Sequence, residues 1–137
     1  MSGFELRLLL GTYAVSRLSP DEPCPDWARG ELLASIRTPD ELSIVSRADS
    51  VPQSVRSESG WRVLQVAGPL DFSLVGVLAA LSAALARVDV TIFSLSSFDT
   101  DYLLVREPDL ERALRALESG GHRITLASEV PPWRSSE

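Results

Sequence analysis

Between residues 61 and 127 the spacing of apolar residues switches back and forth between the two-residue period of a strand and the three-to-four-residue period of a helix. Residues 61–66 read as a strand. From Asp71 the positions Leu74, Leu78, Leu81, Leu85 and Val88 advance by alternating steps of four and three, which makes one helical face. Residues 90–97 alternate again around Val90, Ile92, Phe93 and Leu95, a turn at 98–101 reverses the chain, and residues 102–106 return as a second strand. Pro108 opens a second helix whose Leu110, Leu114 and Leu117 share a face and whose Glu111 can pair with Arg115. Gly120 and Gly121 stop it, and residues 122–127 form the last strand. Strand, helix, strand, strand, helix, strand is the order of a split βαβ unit, in which two helices cover one face of an antiparallel sheet. The fold class is therefore α+β, and the sheet's second face and edges need cover of their own.

Residues 4–60 look like an abridged copy of this plan. Residues 4–13 read as one long strand, and residues 31–37 and 42–47 as a hairpin around Thr38, Pro39, Asp40 and Glu41. The intervening helix has shrunk to a proline-rich, acidic loop over 16–30, and the second helix to a turn over 48–51. Such a half cannot close a core alone. It is expected to pack beside the second half by joining sheets or exchanging a terminal strand, with a polar linker over 52–60. The division expected is an abridged unit at 1–60, a complete unit at 61–130 and a flexible tail at 131–137.

Composition excludes several functions. With a formal net charge of −6, the chain lacks the clustered basic face of a nucleic-acid binder. Its longest mostly apolar run, residues 74–85, is too short and too interrupted by serine to span a bilayer, and the N-terminus has no secretory pattern, so a cytoplasmic protein with no membrane contact is expected. Cys24 is the single cysteine, which removes an internal disulfide and a cysteine-based metal site; between two prolines it reads as a loop residue. His122, the single histidine, reads as a solvated or edge residue. Neither a nucleophile elbow, a glycine-rich phosphate loop nor a zinc-protease motif occurs, so no enzyme, cofactor or metal is expected.

Two turns carry polar chemistry. At Gly68-Pro69-Leu70-Asp71-Phe72-Ser73 a strand runs into a helix that Asp71 can cap. The first-turn N–H groups then point outward, where a carboxylate can bind; equally, the segment is a tight turn with an ordinary N-cap. At Ser94-Leu95-Ser96-Ser97-Phe98-Asp99-Thr100-Asp101 a hairpin turn offers hydroxyls and carboxylates to an ammonium group, or simply good turn-formers. Asp99 and Asp101 alone are too few oxygen ligands for a hard cation. Gly76, placed inside the first helix, leaves space either for close helix-to-sheet packing or for a ligand or neighbouring subunit.

The run Gly60-Trp61-Arg62-Val63-Leu64-Gln65-Val66-Ala67-Gly68-Pro69-Leu70-Asp71-Phe72, the run from Ile92 through Ser96-Ser97-Phe98-Asp99-Thr100-Asp101 to Val105, and the earlier run from Arg37 to Val45 carry a family likeness. In them the chain resembles the ACT family of amino-acid-binding regulatory domains, in particular small bacterial tandem-ACT proteins related to aspartokinase regulatory regions and to the CASTOR arginine sensors. The resemblance implies a ferredoxin-like βαββαβ fold in two tandem units and a non-catalytic sensor role. It implies an amino acid held at an interface between ACT units, in a homodimer or larger homo-oligomer. By the same resemblance Gly68, Pro69, Leu70, Asp71 and Phe72 hold the ligand carboxylate, and Ser96, Ser97, Phe98 and Asp101 form the opposite wall, with Asp101 meeting the α-amino group. The arginine sensors carry acids just after the glycine-containing loop where this chain has Ser73, Leu74 and Val75, so a smaller or less charged amino acid fits as well as a basic one. The alternative is a dimerisation or docking module without a ligand.

Overall fold

The single strand expected over residues 4–13 is broken at Gly11. This glycine has φ 81°, a region that L side chains avoid, and a Cβ there would fall 2.6 Å from the guanidinium carbon of Arg47. The computed structural model, which describes residues 3–67 and 76–127, accordingly starts with two strands, β1 (Glu5–Leu8) and β2 (Tyr13–Leu18). Then follow β3 (Ala34–Arg37), β4 (Leu42–Arg47), a 3-10 turn at Ala48–Ser50, β5 (Arg56–Val66), α1 (Val77–Ala86), β6 (Ile92–Ser96), β7 (Asp101–Arg106), a 3-10 turn at Glu107–Asp109, α2 (Leu110–Ser119) and β8 (Arg123–Leu126). The chain divides into two compact units, Met1–Leu10 with Arg62–Glu137, and Gly11–Trp61.

In the first of these the sheet runs β6-β7-β5-β1-β8. β1 inserts between β5 and β8, antiparallel to the former through Leu6↔Val66 and Leu8↔Leu64, and parallel to the latter through Leu6↔Ile124 and Leu8↔Leu126. Residues 61–127 thus do not complete their own sheet, and the sheet is not purely antiparallel. The physical reason is that β1 satisfies backbone groups on both sides, with Ala67 N–H donating to the Glu5 carbonyl (2.8 Å) and Arg123 N–H to the Phe4 carbonyl (2.9 Å). It also adds two buried leucines, Leu6 and Leu8, to the core face.

That face meets both helices in one cluster. Leu81 and Leu85 of α1 and Ala113 and Leu117 of α2 are buried against Leu6, Leu64, Val66, Leu103 and Val105, while Leu78, Val88, Leu110 and Leu114 are partly buried. Gly76 is not inside α1 but precedes it as N-cap, at φ 86°. Among the described residues a Cβ there would meet nothing within 4 Å, and the positive φ is a conformation that glycine adopts without strain. Pro108 sits in the 3-10 turn, and α2 begins two residues later. Glu111 and Arg115 form the expected i,i+4 ion pair.

His122 departs furthest from expectation, being 6% exposed rather than solvated. Its Nδ1 accepts the Phe4 N–H at 3.0 Å and its ring stacks on that of Phe4, with centroids 5.5 Å apart. Burial holds its pKa below the ordinary histidine value. On the face away from the helices, alternation places Arg7, Gln65 and Tyr102 in a row. Arg7 Nη1 donates to Gln65 Oε1 (3.0 Å), and Gln65 Nε2 to the Tyr102 hydroxyl (3.0 Å).

In the unit Gly11–Trp61, β4 lies between β2 and β3, with Tyr13↔Arg47 through Leu18↔Leu42 and Ala34↔Val45 through Arg37↔Leu42. The stretch 52–60 is a free linker only up to Val55. From Arg56 it pairs with β2, including Val15↔Glu58 and Arg17↔Arg56, so backbone bonding makes a strand of a segment too polar to show an apolar alternation. β2 itself runs on to Leu18, into the stretch read as loop. The Tyr13 hydroxyl accepts the Leu32 N–H (3.3 Å), and burial raises its pKa.

Candidate functional site

β6 and β7 pair antiparallel from Ile92↔Val105 to Ser96↔Asp101. The turn that joins them is residues 97–100, one residue earlier than the turn read from sequence, and Asp101 is the first residue of β7. Ser97 closes the turn three times: its N–H (2.8 Å) and its hydroxyl (3.1 Å) donate to the Thr100 carbonyl, and its Oγ accepts the Thr100 N–H (3.2 Å). This is a serine turn, in which the hydroxyl stands in for a backbone partner.

The closure leaves Ser96 and Asp101 facing each other across the last pair of the ladder, with the Ser96 hydroxyl donating to Asp101 Oδ1 at 2.6 Å. Ser96 is exposed and Asp101 half-buried. A carboxylate held by one hydroxyl on one oxygen, with a second oxygen and access to solvent, is suited to accept from an ammonium group. Phe98 lies in the turn itself and is 81% exposed. The opposite wall expected from sequence, Gly68, Pro69, Leu70, Asp71 and Phe72, lies outside the described residues, as do Ser73, Leu74 and Val75.

The sequence offers Thr100 as one of the turn's hydroxyl partners for an ammonium group, but the structure turns its hydroxyl inward. Thr100 is 5% exposed, and its hydroxyl donates to the Val66 carbonyl at 2.5 Å. Val66 ends β5, so the turn and the strand that leads to Gly68 are joined by a buried hydrogen bond. No local sequence pattern names Val66 as the partner of Thr100, because the two residues are 34 apart in the chain.

A cleft of about 500 Å3 lies across β5 from the hairpin, lined among others by Phe4, Glu5, Glu118, His122 and Arg123. It contains none of the residues assigned from sequence. Among the described residues no group of three or more His, Cys, Asp or Glu side chains is placed to hold a metal ion, and no helix is long and apolar enough to cross a membrane.

The element order and two helices packed on one face of the sheet define an α+β protein of the ACT, ferredoxin-like type, and residues 56–119 match the family model of the ACT domain. Residues 11–54 match a separate model, for an N-terminal domain. Protein Atu0741 from Agrobacterium tumefaciens is 37% identical, with a TM-score of 0.86 over 96% of this chain and 98% of that one. The chain belongs to the family of that protein. The cytosolic arginine sensor for mTORC1 subunit 1 of Rattus norvegicus is 35% identical over 78 residues, 55% of this chain and 23% of the sensor, so the chain spans less than a quarter of that relative. The regulatory subunit of aspartate kinase from Thermus thermophilus, 14% identical, shares the fold with a TM-score of 0.56 over 81% of this chain and 93% of that one.

Proposed function

We propose that the protein is a non-catalytic, cytoplasmic regulatory sensor that binds an amino acid and transmits its presence through its own assembly or a partner's activity. In this reading Asp101 meets the ligand's α-amino group, and Ser96, Ser97 and Phe98 complete that wall. The loop Gly68, Pro69, Leu70, Asp71 and Phe72 holds the carboxylate with backbone N–H groups. The site lies at an interface between ACT units of a homodimer or larger homo-oligomer. A ligand shared by two sides of an interface biases assembly because it binds one packing better than another.

The observation that carries the reading is the Ser96 to Asp101 hydrogen bond, which presents a solvent-accessible carboxylate at the strand position where the family likeness puts the ammonium partner. The ACT match over residues 56–119 and the likeness to an arginine sensor support it. Thermal-shift measurement against the standard L-amino acids tests it. A ligand at about 100 times its Kd stabilises by about 2.7 kcal/mol, so at least one amino acid is expected to raise the Tm. If none does, the docking module without a ligand takes its place.

A further inference from the structure

We propose that Thr100 is a positioning residue of this site, a strut that aims the Ser96 and Asp101 pair by fixing the hairpin turn to β5. The inference rests on the reading of Asp101 given above.

The molecule contains its own control for this assignment. The hairpin between β3 and β4 closes with the same turn: Thr38 N–H donates to the Glu41 carbonyl (2.9 Å), Thr38 Oγ1 accepts the Glu41 N–H (3.2 Å), and the hydroxyl reaches the Glu41 carbonyl (3.4 Å). Thr38 therefore stands where Ser97 stands, and Glu41 where Thr100 stands. Glu41 is only half-buried and spends its carboxylate locally, accepting from the Ser43 hydroxyl at 2.8 Å and lying 4.0 Å from Arg17. The turn thus forms without a strut, so the Thr100 hydroxyl is not needed to make it.

What the hydroxyl does is reach out of the hairpin. Among the described residues β6 pairs with β7 alone, so there the hairpin is held to the rest of the sheet through β7. Thr100 is a buried polar residue whose hydroxyl donates to a carbonyl at the end of the neighbouring strand, one residue before the carboxylate that is to receive the ligand. A buried hydrogen bond of this kind restricts the direction in which the turn can lean, and with it the placement of Asp101.

The experiment compares Thr100→Val, Thr100→Ala and Thr100→Ser with Asp101→Ala and wild type in the full chain. The probes are the standard L-amino acids, screened singly by thermal shift, and calorimetric titration follows with the one giving the largest shift on wild type. Thr100→Val and Thr100→Ala, which lack the hydroxyl, are expected to bind about tenfold more weakly, while Thr100→Ser binds within about twofold of wild type, the difference expected for one hydrogen bond. Rescue by serine separates positioning from packing, because serine restores the hydroxyl but not the methyl group. Wild-type affinity in Thr100→Val or Thr100→Ala, alongside lost affinity in Asp101→Ala, overturns the strut and leaves the site reading standing. Unchanged affinity in Asp101→Ala, or no response of wild type to any probe, overturns the site reading and the strut with it. Failure of both hydroxyl-free variants to fold makes the hydroxyl a requirement of the fold and overturns the positioning role.

Discussion

The two hairpins, β3 to β4 and β6 to β7, share one turn and differ at the pair of residues that flanks it. Arg37 faces Leu42 in the first, and Ser96 faces Asp101 in the second. Leu42 is 1% exposed and belongs to the core of its unit, and Arg37 leaves the pair to donate to the Pro20 carbonyl. Asp101 is half-buried and held by its serine. The same pattern of turn-closing hydrogen bonds therefore serves packing in one place and presents a carboxylate in the other. The lesson is that the turn is a scaffold, and the flanking pair decides what it does.

Exchanging that pair breaks the comparison most forcefully. Leu42→Asp removes a buried leucine and puts a carboxylate in its place, so destabilisation of about 4 kcal/mol or more is expected from cavity and desolvation together. Urea denaturation followed by Trp fluorescence measures it. Asp101→Leu, the reverse exchange, should leave stability within about 1 kcal/mol of wild type while abolishing amino-acid binding. A large stability loss there would mean that Asp101 belongs to the fold rather than to a site.

Asp101→Ala isolates the carboxylate. A charge-assisted hydrogen bond contributes roughly 1.5–3 kcal/mol, so affinity measured by calorimetry should fall about tenfold or more. Affinity equal to wild type removes Asp101 from the site.

Smaller effects sharpen the claim that the turns are equivalent. Thr38→Ala and Ser97→Ala each remove a side chain that closes its turn, and each should cost about 1 kcal/mol of stability. Markedly unequal costs, read from denaturation midpoints at constant m, would show that the two turns bear different loads.

The smallest difference is in acid. His122, the single histidine, belongs to the unit Met1–Leu10 with Arg62–Glu137, so the histidine switch is confined to that unit. Its Nδ1 can accept the Phe4 N–H only when unprotonated, and its folded pKa lies below the unfolded one. A depressed folded pKa means that the unfolded chain binds more protons in that window. The stabilisation is present above the unfolded value of about 6.5 and is lost as pH falls through the lower folded value. Glu5, Glu118 and Arg123 line the cleft with His122. The protection factors of residues 4–8, corrected for the intrinsic pH dependence of amide exchange, should therefore fall as pH drops below about 6.5 in wild type and stay flat in His122→Gln. Equal pH dependence in both would assign the effect elsewhere.

Much of the fold was legible in residues 76–127. The heptad-like spacing of Leu78, Leu81, Leu85 and Val88, the alternation around Phe93 and Leu95, and the stop at Gly120 and Gly121 are local patterns with local causes. The pieces that misled were those decided by distant partners. The stretch 56–60 is polar, and becomes strand because β2 supplies its hydrogen bonds. Gly11 interrupts an apolar run because Arg47 passes beneath it. His122 is buried because Phe4, far away in sequence, covers it. Of the site, the serines and Asp101 announce themselves by residue type, whereas Thr100 acquires its role from Val66 alone.

By itself the sequence determined what its own periodicity encodes: an α+β unit with one largely apolar and one amphipathic helix, a serine-rich hairpin ending in Asp101, and a chain with no basic face. Tertiary structure decided the rest: that β1 enters the sheet between β5 and β8, that the turn begins at Ser97, and that Thr100 ties it to β5. The physical reason is range. Periodicity and turn chemistry act between neighbours in the chain, while strand insertion and buried hydrogen bonds join residues as far apart as Leu6 and Ile124 or Val66 and Thr100, whose partners no local pattern names.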